Sequence, residues 1–247
     1  MRPPVDTIGA PPFPRELEWV NVAPLRMDQQ RGRPVLIEFF DFCRVHSLRT
    51  LDYTRAWHDR YEPGGLRVIS VHSPGFEPAR DADAARDAVA RLGIEHAVCL
   101  DHDFDVWGLY DNEGWPARYL FDENGILVHY HYGEGAYEET EDAIRELLGD
   151  DGEPVGLLRA EDDPATMIVV PTSEQPGHYT GPYEAGGVWA VLSGTGTARA
   201  FGREIAVTHP GAYALAEHDV HEQGVVDLEL DDGVTCHAVC FTAGLAG

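Results

Sequence analysis

The run from Val35 to Phe40 is apolar except for Glu38, and a helical pattern follows it through Leu48, Leu51, Tyr53, Ala56 and Trp57. The run predicts a buried strand. The spacing after it predicts a helix, stopped by Pro63-Gly64-Gly65. Between them lie Asp41, Phe42, Cys43 and Arg44. A thiol at such a junction sits beside the free N–H groups of a helix start and beside a guanidinium, and both lower its pKa. A nearby Asp41 carboxylate opposes them.

The same pattern continues along the chain. Leu66–His72 reads as a second buried strand, Asp81–Leu92 as a helix closed by Gly93, and Ala97–Leu100 as a short strand. Asp105–Tyr110 gives a turn or two of helix. Ala117–Phe121 and Ile126–Tyr132 read as a hairpin around Asp122-Glu123-Asn124-Gly125, and Tyr137–Leu148 as a helix opened by acids. This order describes a mixed sheet with helices on both faces. It predicts an α/β domain over 17–149, preceded by a Pro-rich extended arm over 1–16. A polar break opens a linker over 150–165. Beyond it helical periodicity fades into short runs, among them Ala212–Ala216, Val225–Leu230 and Thr235–Phe241. These predict an all-β sandwich, jelly-roll-like, over 166–247.

Charge narrows the function classes. The 247 residues carry 43 acids against 18 basic residues, all Arg, for a net charge of -25. A field of that sign repels phosphate backbones, so nucleic-acid binding is not expected. No window is apolar enough for a membrane span, and the N-terminal residues carry no export signal, so a cytoplasmic protein without a membrane partner is expected. Four scattered cysteines, Cys43, Cys99, Cys236 and Cys240, suit a reducing compartment. Cys236 and Cys240 share one strand and lie too far apart along it to bond each other.

Several segments together resemble the thioredoxin-like module of the TlpA/DipZ (redoxin) group. They are Arg49-Thr50-Leu51, Val68 to Pro74, Leu92-Gly93-Ile94, Leu100-Asp101-His102-Asp103, Trp115-Pro116-Ala117-Arg118-Tyr119-Leu120 and Gly133-Glu134-Gly135-Ala136-Tyr137. The resemblance covers roughly residues 17–149 and implies a thioredoxin-like fold. More weakly, the closing Phe241-Thr242-Ala243-Gly244 is similar to the β-sandwich that follows this module in DipZ-type proteins. The resemblance implies thiol-disulfide exchange through a Cys-x-x-Cys pair, and a cis peptide at Trp115–Pro116 facing the active-site helix. Here the residue three after Cys43 is His46. Counted back from Arg49, the two family cysteine positions fall on Arg44 and Ser47. A dithiol mechanism needs a resolving thiol, which neither His46 nor Ser47 supplies.

The candidate residues are therefore Cys43 as a lone nucleophile, with Arg44, His46, Ser47, Trp115 and Pro116 as a ligand site. Arg44 at a helix start suits a carboxylate or phosphate, or pairs with Asp41 or Glu38. A buried Glu38 should have a raised pKa. His129 and His131 share a strand face, and His218 and His221 flank a predicted loop, but their spacing is not that of a metal site. No cofactor and no metal are expected. Three functions follow. The first is a thioredoxin-like protein with a degenerate site that binds a peptide, protein or small anion. The second is a single-cysteine redox protein using Cys43. The third is a metal- or ligand-binding enzyme using the β domain.

Overall fold

A computed structural model describes residues 8–247. By spatial contact it divides into two units. The first gathers residues up to 41 with 46–74 and 85–158, and the second gathers 42–45, 75–84 and 159–247. Strands β1 (Glu18–Val20) and β2 (Val35–Phe40) precede helix α1 (Val45–Tyr61) and β3 (Arg67–His72). Then come α2 (Ala82–Arg91), β4 (Ala97–Leu100), α3 (Asp105–Leu109), the hairpin β5 (Ala117–Phe121) and β6 (Leu127–Tyr132), and α4 (Tyr137–Leu148).

The six strands form one sheet in the order β1-β4-β3-β2-β5-β6. Strand β3 runs parallel to both β2 and β4, and the other pairings are antiparallel. Side chains alternate across a strand, so β2 feeds two cores. Val35, Ile37 and Phe39 join Ile69, Val71, Tyr110 and Tyr119 on one face. Leu36 lies on the other with Val68, Leu120, Tyr53 and Trp57 of α1, and Tyr137 and Ile144 of α4. Phe13 packs into the first core, and the arm pairs with the hairpin through Gly9 and Ile126. The arm's residues 1–7 lie outside the described residues.

Helix α4 stops at Gly149, whose φ of 62 is left-handed and whose N–H closes onto the carbonyls of Arg145 and Glu146. The chain then stays on the first unit. Glu141 accepts the N–H groups of Val155 (2.5 Å) and Gly156 (3.0 Å), and Leu158 N–H donates to the Tyr53 hydroxyl at 2.8 Å.

The second unit carries β7 (Ile168–Val169), β8 (Gln175–Pro176), β9 (Gly181–Gly194), β10 (Gly196–Ala200) and β11 (Arg203–Val207). It continues with β12 (Gly211–Val226), β13 (Glu229–Leu230), β14 (Val234–Thr242) and β15 (Gly244–Leu245). These make sheets β12-β9-β14-β8, β11-β10-β13 and β15-β7. The run Ala212–Ala216 is one end of a 16-residue strand, and Val225–Leu230 straddles the end of β12 and the start of β13. His218 and His221 lie in the stretch of β12 between Glu217, opposite Gly187, and Glu222, opposite Ala185, where the register with β9 is interrupted. The polar stretch around them is largely solvent-facing and coincides with this break in the ladder. The Phe241-Thr242-Ala243-Gly244 motif ends where backbones close in: a Cβ on Gly244 would lie 2.7 Å from the Gly186 Cα and 2.8 Å from the His221 Cα.

Candidate functional site

In the first unit, the start of α1 carries His46 and Ser47. Ser47 is buried and its hydroxyl accepts the Asp41 N–H at 3.2 Å, tying the turn to the helix's first residues. His46 is partly exposed, and its Nδ1 lies 2.7 Å from Glu134 Oε1. Arg49, one turn on, donates from Nε to both Glu134 oxygens at 3.1 and 3.0 Å. Glu134 reaches α1 from a tight loop in which Gly133 and Gly135 hold φ values of 83 and 87. Burial alone would raise the Glu134 carboxyl. The hydrogen bond from His46 and the charge of Arg49 outweigh it and hold the group low.

The Trp115–Pro116 peptide is cis. Pro116 is buried. Trp115 is half-buried against Trp107, with ring centroids 4.3 Å apart, and its Nε1 donates to the Ser73 carbonyl at 2.8 Å. The indole is thus anchored by packing and one hydrogen bond rather than displayed.

Behind α1 a polar row crosses the sheet. In register, Ser70 of β3 faces Glu38 of β2, Glu38 faces Arg118 of β5, and Arg118 faces His131 of β6. Ser70, Glu38 and Arg118 have no solvent exposure. Glu38 Oε2 accepts from the Ser70 hydroxyl at 3.1 Å, and that hydroxyl lies 2.7 Å from His96 Nε2. His96 borders a small pocket of about 90 Å³ with His58, Asp59 and Glu95. Burial pushes Glu38 up to about 7, against the pull of Ser70, Thr54 and Arg118. Burial pushes His96 down to about 3, helped by His58 and Arg55. Arg118 packs its guanidinium 4.7 Å from the Tyr137 ring centroid and 5.7 Å from that of Trp57, and donates to the Gly135 carbonyl.

In the second unit, Cys43 is fully buried. Arg44 lies over the Phe76 ring at 4.7 Å and forms an ion pair at 3.6 Å with Glu174, which also accepts from the Cys240 thiol at 3.4 Å. Glu174 lies so far along the chain that no local pattern points to it. None of the four cysteines is in a disulfide. Among the described residues no three His, Cys, Asp or Glu side chains are grouped to hold a metal. His129 and His131 are instead spent on Thr140 Oγ1 (3.2 Å) and the Glu134 carbonyl (2.9 Å).

This arrangement of sheet, cis-proline turn and helix start has known relatives. The chain is 34% identical over 135 residues to protein DipZ of Mycobacterium bovis, a match covering 53% of the chain and 19% of DipZ. It is 25% identical over 140 residues to the thiol-disulfide oxidoreductase YkuV of Bacillus subtilis, covering 57% of the chain and 94% of YkuV. A solved thioredoxin-like protein in the oxidised form superposes with a TM-score of 0.52 at 25% identity, over 57% of the chain and 95% of that protein. The chain carries a thioredoxin-like domain, similar to those of DipZ and YkuV. No family model matches it. The chain spans about a fifth of the length of DipZ. Among the described residues no helix is long and apolar enough to cross a membrane.

Sequence reasoning places His46 and Ser47 at a helix start and Trp115–Pro116 at a cis turn, as the structure has them, and gives no sign of the Glu134 contact. Glu134 is visible only as a letter in a family-like motif. Its two flanking glycines are the available signal, since such a turn brings one side chain back over a neighbouring element.

Proposed function

We propose that this chain is a thioredoxin-like protein that performs no dithiol exchange and instead uses the start of α1 to bind a peptide, a partner protein or a small anion. The observation that carries this is the thiol inventory. Cys43 has no solvent exposure, and the next side chains that could resolve a mixed disulfide are His46 and Ser47, which have no sulfur. Cys99 is buried in β4, where desolvation and Asp101 push its thiol well up. In the second unit, burial pushes Cys236 up to about 11, and burial and Glu174 push Cys240 higher still. A thiol held protonated is neither a nucleophile nor a leaving group at neutral pH. We read the larger sheets of the second unit as a β-sandwich, and the four unbridged cysteines as fitting a reducing, cytoplasmic compartment.

Insulin reduction with dithiothreitol as the reductant should proceed at the uncatalysed rate. Thiol titration of the native protein with a disulfide reagent should leave Cys43 unmodified until denaturant is added. Turnover comparable to a dithiol protein would overturn the proposal. A fast-reacting Cys43 with a lowered pKa would replace it with the single-cysteine reading.

A further inference from the structure

The small pocket beside His96 lies in the first unit, near the last turn of α1. Arg55, His58 and Asp59 line it from the helix, and Gly93, Glu95 and His96 from the loop that leads into β4. A helix rises about 1.5 Å per residue, so His58 is roughly 18 Å along α1 from His46, and the pocket is separate from the start of the helix. Its volume of about 90 Å³ suits an ion with a few waters rather than an organic ligand. Two ring nitrogens there are unspent. The Nδ1 atoms of His58 and His96 are buried, and neither has a hydrogen-bond partner among the described residues. A buried polar atom in that condition calls for an explanation, and a bound ion is one.

The two imidazoles meet edge to face with ring centroids 5.4 Å apart. Two imidazoles on one tetrahedral zinc, each at a Zn–N distance of about 2.0–2.1 Å, have centroids about 5 Å apart. The spacing already present is therefore close to what a shared ion requires. His96 is 3% exposed and is backed as ligating histidines commonly are. Its Nε2 lies 2.7 Å from the Ser70 hydroxyl, which donates to Glu38, and a proton on Nε2 leaves the Nδ1 lone pair for a ligand. Charge selects the kind of ion. Asp59 follows His58 and Glu95 precedes His96, and these two exposed carboxylates outnumber Arg55, so the pocket favours a cation over an anion. Among the described residues no three His, Cys, Asp or Glu side chains form a finished site. The remaining positions fall to water, or to Asp59 or Glu95 after a side-chain rotation. We propose that His58 and His96 bind a divalent transition-metal ion of the zinc type through their imidazole nitrogens.

The net charge of -25 attracts any cation diffusely, so the test must separate a built site from that field. The probe is zinc chloride, titrated by calorimetry in excess Mg²⁺, which fills diffuse carboxylate sites and is a poor partner for imidazole. The wild type should keep one saturable zinc site, and the ¹⁵N ring resonances of His58 and His96 should shift together as it fills. His58→Ala leaves the formal charge and all four cysteines in place and should weaken that site by about tenfold or more. Arg55→Gln removes the opposing charge and should tighten it by about threefold, a gain that a merely structural change would not give. Circular dichroism checks that both variants keep the fold. Unchanged zinc binding in His58→Ala, no gain in Arg55→Gln, unmoved His96 ring resonances at saturation, or no site that survives Mg²⁺ would each overturn the proposal.

Discussion

Arg118→Ala should cost the first unit about 3–5 kcal/mol of stability, the range for truncating a large buried side chain or removing one member of a buried charged set. Arg118 is fully buried under α1 and α4, and its stem and guanidinium fill the space between Trp57 and Tyr137. Two effects compete at this position. Burial lowers the guanidinium pKa, so the charge itself is costly, while Tyr137, Glu38 and Glu134 favour it. The packing volume has no such offset. Arg118→Met, of similar length and without the charge, should therefore recover more than half of the loss suffered by Arg118→Ala. Urea unfolding at pH 7, followed by tryptophan fluorescence, to which Trp57 against Arg118 contributes, measures both. Equal losses for Ala and Met would show that the charge, not the volume, is what the fold uses.

Glu38→Gln should leave stability nearly unchanged near pH 5 and raise it at pH 8. The sign follows from linkage. The folded protein holds the Glu38 proton up to about pH 7, whereas an unfolded chain releases it near 4.5. Between those values the folded state binds more protons, so the wild type loses stability as pH rises, and above pH 7 the loss is complete. Gln has no such proton. The gap between variant and wild type should widen by roughly 2–3 kcal/mol from pH 5 to pH 8, because each pH step of one between the folded and unfolded values is worth about 1.4 kcal/mol. His96 acts in the opposite direction on the acid side. Its folded value of about 3 lies below the usual 6.5, so stability it contributes near neutrality is lost as pH falls through that window. Urea midpoints at the two pH values decide the matter. A constant gap would mean that Glu38 titrates like an ordinary carboxylate.

Much of the first unit is legible because its signals are local. Val35–Phe40 announces a strand buried on both faces, and period-2 alternation alone puts Glu38 with Leu36 on one side of the sheet. The polar row is not legible. It exists only because parallel and antiparallel register align Ser70, Glu38, Arg118 and His131 across four strands, and nothing local couples those positions. The candidate residues at the start of α1 are picked out by their place in the strand–turn–helix unit. Their holders, Glu134 and Glu174, arrive from distant loops and cannot be. In the second unit, β12 reads as separate pieces because Glu217, His218, Asp219, Glu222 and Gln223 look like a loop. The register with β9 is interrupted there, between Glu217 and Glu222, and the sequence shows that interruption as the end of one run and the start of another.

The hydroxyl of Ser70 has a single proton to share between two neighbours. When Glu38 is ionised, that proton points to the carboxylate, and His96 must then carry its own proton on Nε2 to complete the chain. When Glu38 is protonated on Oε2, its hydroxyl donates to Ser70, the Ser70 proton turns to His96, and Nε2 becomes the acceptor with the ring proton on Nδ1. Through Ser70, protonation of the buried Glu38 at Oε2 is thereby coupled to the tautomer of a histidine beside a small pocket. In ¹⁵N spectra the His96 ring should change tautomer, without gaining charge, at the pH where Glu38 titrates.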